Sequence, residues 1–163
     1  MKGNYGQAIA DFNEALRLDP DLTEAYADRG RGYYTLGEYD KAIADFTELL
    51  RRQQHVAFAY YSRGLAWERK GEHGKAIADF DEALRLDPKH AKAYRNRAVA
   101  YDCVGNPDLA IKDCSEAIRL NPQDGLAYHM RGLLYAEKGD LTKSEKDLAQ
   151  ARRLGYSPTT RKP

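Results

Sequence analysis

Gly3, Gly37, Gly71, Gly105 and Gly139 stand on one unbroken period of 34 residues, and a chain that repeats itself at that interval folds as a stack of small similar units. Pro20, Pro88 and Pro122 fall on a second lattice of the same period, whose intermediate point is Gln54. Between glycine and proline the chain carries Ala8, Ile9 and Phe12, then Ala42, Ile43 and Phe46, then Ala76, Ile77 and Phe80, then Ala110, Ile111 and Cys114. The i, i+1, i+4 spacing puts each of these four trios on one face of a helix, and with the fifth lattice glycine, Gly139, the period predicts five B helices. Tyr26, Gly30 and Tyr33 lie ahead of a lattice glycine, as do Tyr60, Gly64 and Trp67, Tyr94, Ala98 and Tyr101, and Tyr128, Gly132 and Tyr135. Large and small side chains on a shared face let one helix approach another closely, which predicts four A helices. A glycine then ends each A helix, and proline past the end of B blocks continuation into the next.

This pattern resembles the tetratricopeptide repeat family over almost the whole chain. It predicts a B-helix half-repeat at 1–22, repeats at 23–56, 57–90 and 91–124, a divergent terminal repeat at 125–158, and a tail at 159–163. The last repeat departs from the pattern, with Ser144 for alanine, Leu148 for the aromatic and Tyr156 for proline, as expected of a terminal unit. The expected class is all-α: a right-handed superhelical solenoid of antiparallel helix hairpins, its handedness and its concave, A-helix-lined groove being implied by the resemblance. With no Pro/Gly/Ser-rich linker between repeats, one continuous solenoid is expected rather than two independent domains.

Charge excludes some partners. Lys plus Arg total 26 against 25 for Asp plus Glu, dispersed along the chain, so no strong field draws it to nucleic acid or to an anionic membrane. No run approaches the ~18 apolar residues of a membrane span, and Met1 leads into Lys2, Gly3 and Asn4 rather than a secretory core. A cytoplasmic location is expected, or a periplasmic one if the chain is cut from a secreted precursor. Cys103 and Cys114 are too few for a disulfide framework and read as reduced thiols.

Other residues invite a chemical reading. Arg29, Arg63, Arg97 and Arg131 share one lattice position, and Asp11, Asp45, Asp79, Asp113 and Asp147 another. Each of the first four aspartates precedes an arginine by 18 residues, which suggests ion pairs across repeat junctions; pairing within repeats, Arg29 to Asp45 and its equivalents, stays open. His55, His73, His90 and His129 occupy unrelated repeat positions and show no recurring ligand geometry, so no metal is expected. Cys103 lies beside Asp102, but a reactive thiolate needs a positive neighbour. No phosphate loop, HExxH helix or GxSxG turn is present, so no catalytic residue and no cofactor are expected. Most of the 12 tyrosines fall at the recurring helix-packing positions, which leaves few for stacking on nucleic acid bases.

The resemblance implies a non-catalytic scaffold that binds a peptide or partner protein along the A-helix groove. A regulatory or targeting segment of a larger enzyme, sensor or envelope assembly is the alternative, motivated by the half-repeat at the start, whose open helix face also predicts homo-oligomers through that end. The family's clamp for acidic carboxy-terminal peptides needs Lys and Asn, then Asn, then Lys and Arg on successive A helices. Here the register gives Ala27 and Arg31, Ser62, then Lys92 and Asn96, or one repeat later Tyr61 and Leu65, Asn96, then Leu126 and Met130, and neither supplies the set. The predicted groove instead presents Phe58, Tyr61 and Leu65, then Lys92, Arg95 and Asn96, then Leu126, His129, Met130 and Leu133. That order places a basic, amide-bearing centre between two apolar patches and suits a peptide with apolar anchors and an acidic group. Arg95 is the expected carboxylate anchor, Phe58 and Tyr61 the apolar hot spots, and Asn96 the group that orients peptide backbone.

Overall fold

The computed structural model describes residues 3–53 and 55–157. Met1, Lys2, the lattice position Gln54, Pro158 and the tail 159–163 lie outside them. The helices are α1 (Gly3–Leu18), α2 (Thr23–Leu36), α3 (Tyr39–Arg52), α4 (Ala57–Arg69), α5 (His73–Leu86), α6 (Ala91–Cys103), α7 (Pro107–Leu120), α8 (Gly125–Glu137) and α9 (Leu141–Arg153). The odd-numbered helices are the B helices and the even-numbered the A helices, giving an all-helical solenoid of paired helices. No strand occurs among the described residues.

The turn that makes each hairpin has a definite cause. Gly37, Gly71, Gly105 and Gly139 all adopt φ between 75° and 82°, a region closed to most side chains. At Gly37 the N–H donates to the Tyr34 carbonyl, and Glu38 N–H reaches back to the Tyr33 carbonyl at 2.9 Å, closing the end of α2. The chain then re-enters a helix within two residues.

Size complementarity holds the two helices of a hairpin together. A Cβ at Gly30 would stand 3.1 Å from the Phe46 ring, and one at Gly64 2.8 Å from the Phe80 ring. Phe46 is 1 % exposed and Phe80 0 %, so each ring fills the space its glycine leaves. The one A helix with alanine at this position, α6, faces Cys114 instead of phenylalanine, and Ala98 and Cys114 share a core cluster. In the last hairpin Gly132 is met by Leu148.

Contacts divide the chain into compact units 1–88 and 89–163, a boundary at the lattice proline Pro88 where the sequence predicts an unbroken solenoid. In the amino-terminal unit α2 pairs with α3 and α4 with α5, while α1 packs on α2 and α3 on α4. In the carboxy-terminal unit α6 pairs with α7, α8 with α9, and α7 packs on α8.

The lattice ion pairs lie within repeats rather than across the 18-residue spacing. Arg29, Arg63, Arg97 and Arg131 each grip Asp45, Asp79, Asp113 and Asp147 respectively through Nε and Nη2, at 2.6–2.9 Å. The aspartate 16 residues on lies directly opposite across the hairpin. The third guanidinium nitrogen, Nη1, turns to the preceding B helix instead, donating to Asn13 from Arg29, to Thr47 from Arg63 and to Ser115 from Arg131. Each arginine also lies against at least one aromatic ring of its own helix, as Arg97 does at 5.4 Å from Tyr94 and 5.7 Å from Tyr101. The Tyr-x2-Arg-x3-Tyr spacing sets all three on one helical face.

Candidate functional site

In the amino-terminal unit the A-helix face is built by α2 and α4. Leu65 of α4 and Tyr34 of α2 bound a cavity of about 230 Å³, completed by Arg31, Thr35, Ser62 and the Phe46 ring. Its walls are mostly apolar, and its volume lies below the roughly 300–1,000 Å³ of small-molecule sites. Phe58, 36 % exposed, touches two of these lining residues, its ring edge-on to Phe46 at 6.1 Å and beneath the Arg31 guanidinium at 5.3 Å. Tyr61 is half-buried and tilts against Phe80 at 6.0 Å. Arg31 pairs with Asp28 one turn away; the two side chains are 61 % and 40 % exposed, and a pair that wet holds together weakly.

In the carboxy-terminal unit the predicted anchor Arg95 is already engaged. Its Nη1 donates to Asp124 Oδ2 at 2.6 Å, while the other Asp124 oxygen accepts from Ala127 N–H and caps α8. Asp124 is 7 % exposed, so withdrawing Arg95 toward a ligand would strand a buried carboxylate. Arg95 is thus a tie between α6 and the start of α8 rather than a free carboxylate receptor. Lys92, one turn earlier, is the exposed cation of this face.

The remaining predicted residues divide by burial. Met130 packs on the cluster of Ala98, Ala110, Cys114 and Leu134 and serves the core. His129 stacks on Tyr156 at 4.9 Å. This contact follows from the end of α9: Gly155 at φ 77° reverses the chain, whereas α3, α5 and α7 end in residues with φ from −131° to −135°. Leu126 and Asn96 are half-buried, and Leu133 is 52 % exposed.

Arg31, Tyr34 and Thr35 belong to this surface but are absent from the predicted groove. A signal for Arg31 existed, because it shares the lattice position of Leu65 and Leu133.

No group of three His, Cys, Asp or Glu side chains converges among the described residues. His90 caps α6, its Nδ1 accepting from Ala93 N–H at 3.2 Å. Burial pushes the Cys114 thiol up to about 12, so it stays protonated in the folded protein. Cys103 is exposed, and the two cysteines are not joined in a disulfide. No helix among the described residues is long and apolar enough to cross a membrane.

Comparison with known proteins places this architecture. Tetratricopeptide repeat profiles match residues 2–37, 27–91, 91–124 and 114–146. A crystal structure of MamA is similar at 28 % identity and a TM-score of 0.91, over 94 % of this chain and 90 % of that one. MamA from Desulfovibrio magneticus aligns at 20 % identity and a TM-score of 0.89, over 97 % and 89 % of the two chains. YrrB, described as a TPR protein with an unusual peptide-binding site, aligns at 22 % identity and a TM-score of 0.82, over 97 % and 80 %. Comparison with curated proteins gave no match. From the 34-residue lattice, the paired helices and the profiles that tile residues 2–146, this chain belongs to the tetratricopeptide repeat family, a family of characteristically non-catalytic protein-interaction scaffolds.

Proposed function

We infer that the chain holds a peptide against its A-helix faces, and that the α2/α4 face of the amino-terminal unit takes the principal apolar anchor. The observation that carries this reading is the Leu65–Tyr34–Phe46 cavity of about 230 Å³, with the exposed Phe58 packed on its Phe46 and Arg31 walls. A cavity of that size and lining accepts one aliphatic or aromatic side chain. Tyr61 and Phe58 extend the apolar contact along α4. The acidic group of the partner is met by Arg31, whose exposed pairing with Asp28 exchanges readily for a ligand carboxylate, while Arg95 keeps its structural bond. In the carboxy-terminal unit Lys92 and Leu133 offer a second charged and apolar pair.

Selection from a displayed random-peptide library tests this. Selected peptides are expected to share an apolar residue near an acidic one, and to bind Leu65→Asp and Tyr61→Ala proteins at least about tenfold more weakly, the loss of one buried hot spot. Arg31→Ala should weaken acidic peptides more than neutralised ones. Unchanged affinity in both α4 variants, each shown to be folded, overturns the assignment of this face.

A further inference from the structure

Ser62 of α4 and Met130 of α8 stand two lattice periods apart and so hold the same place on two A helices. Ser62 and the Phe46 ring both line the α2/α4 cavity of about 230 Å³. In the carboxy-terminal unit the residue that matches Phe46 is Cys114, and Met130 packs on the cluster that contains it. The two units thus solve one packing problem in opposite ways. Where the B helix supplies a large ring, the A helix supplies a short side chain and a cavity is left over. Where the B helix supplies only a thiol, the A helix supplies a long thioether that reaches it, and an unbranched, flexible chain suits such irregular space. Charge divides along the same line. Arg31, which lines the cavity, is matched by the aliphatic Val99, and Tyr34 by the exposed Asp102. The place that meets an acidic group in one unit is apolar in the other, with a carboxylate one turn beyond it.

We propose that Ser62 is the specificity-determining residue of the peptide-binding surface. Its short side chain keeps open the cavity that takes a leucine- or phenylalanine-sized anchor, and Met130 closes the matching place on α8. An apolar residue beside an acidic one is therefore read in the amino-terminal unit alone. This rests on the α2/α4 face being the peptide site, and adds the residue that sets what the site admits. Methionine at position 62 would carry Cγ, Sδ and Cε past the Cβ, where serine carries a single hydroxyl, and would lie in the space meant for the anchor. The position is half-buried and methionine is the better helix former, so the substitution leaves the helix itself intact.

The probe is the tightest peptide selected on the parent protein from the displayed library, labelled with fluorescein, together with the same peptide in which alanine replaces the apolar anchor. Anisotropy titrations against the parent, Ser62→Ala and Ser62→Met proteins form a double-variant cycle. On the parent and on Ser62→Ala, removal of the anchor should weaken binding at least about tenfold, because the cavity is open in both and the serine hydroxyl is not needed. On Ser62→Met the anchored peptide should bind at least about tenfold more weakly than on the parent. There the anchored and alanine peptides should bind alike within about twofold, the alanine peptide keeping the affinity it has for the parent. A variant that had merely lost its fold would lose the alanine peptide as well. Weakened binding to Ser62→Ala, or an anchor contribution on Ser62→Met as large as on the parent, overturns the proposal. So does a fresh selection on Ser62→Met that returns the same apolar and acidic pair, since another face would then read it. The wider reading fails by a different result. If Leu65→Asp and Tyr61→Ala weaken binding while Ser62→Met does not, only the role of Ser62 is lost. If all three leave affinity unchanged, or the library yields no peptide on the parent, the α2/α4 site falls and this proposal with it.

Discussion

Replacing Gly64 by alanine tests the size rule on which every hairpin here depends. Two effects oppose each other. Alanine in a helix interior is favoured over glycine by about 0.8–1 kcal/mol, so propensity alone predicts a more stable protein. The added Cβ, however, would lie 2.8 and 2.9 Å from two carbons of the Phe80 ring and 3.3 Å from Asp79 Cβ. Contacts between carbons are favourable near 3.5–4.0 Å, and Phe80 is fully buried with its neighbour Asp79 held in the Arg63 ion pair, so neither can yield cheaply. Overpacking of this kind costs about 1–3 kcal/mol, and two sub-3 Å contacts on a fixed ring place it at the upper end. The expected net effect is destabilisation of about 1–2 kcal/mol, a fall in Tm of several degrees for a chain of this size. Urea unfolding followed by Trp67 fluorescence is the assay, because the single tryptophan packs in the core of the amino-terminal unit. Gly74→Ala in α5, whose Cβ would meet nothing within 4 Å, is the control and should be neutral or stabilising by up to about 0.5 kcal/mol. The carboxy-terminal unit already contains the compensated pair, Ala98 facing Cys114. Combining Gly64→Ala with Phe80→Cys should therefore cost less than the sum of the single changes by at least about 1 kcal/mol. A Gly64→Ala protein as stable as the parent, or a double variant additive within about 0.5 kcal/mol, would refute the size rule.

Arg63→Ala should cost about 3 kcal/mol by the same urea assay, since it strands Asp79 at 7 % side-chain exposure, whereas Arg17→Ala, in a pair that is 67 % and 57 % exposed, should leave the unfolding curve where it is. Folded protein at pH 8 should alkylate at Cys103 and not at Cys114, whose thiol is raised to about 12 by burial; rapid labelling of Cys114 without prior unfolding would show that its site opens. Because that folded value lies above the ordinary 9.0, the native state keeps a proton that the unfolded chain loses, so the contribution is intact below pH 9 and falls as pH rises toward 12. By pH 10 the loss amounts to about 1 kcal/mol, read as the change with pH in the difference between the parent and Cys114→Ala, and a pH-independent difference would contradict it. A free peptide ending in EEVD should show no tight, carboxylate-dependent binding by calorimetry, because neither register of the clamp is complete in this chain.

The order of amino acids alone specifies the helices, their succession and their pairing in hairpins. It could do so because glycine at Gly37, Gly71, Gly105 and Gly139 and the i, i+1, i+4 apolar trios are local signals, set by backbone sterics and helical period and repeated until no other reading fits. It also limited Arg29 and its lattice mates to two candidate aspartates, 16 or 18 residues away. The folded hairpin selects the one 16 residues on, because the choice depends on how the hairpin closes and not on the spacing. The same holds for Arg95: sequence marks it as an exposed fork on an A helix, but the cap of α8 brings Asp124 across to occupy it. Tyr156 and His129 meet only because the left-handed Gly155 turns the chain back on α8. The candidate site was therefore legible as a face and not as a set of available groups. A lattice assigns each residue a side of its helix, whereas the freedom of a side chain to receive a ligand is settled by partners that folding brings from elsewhere in the chain.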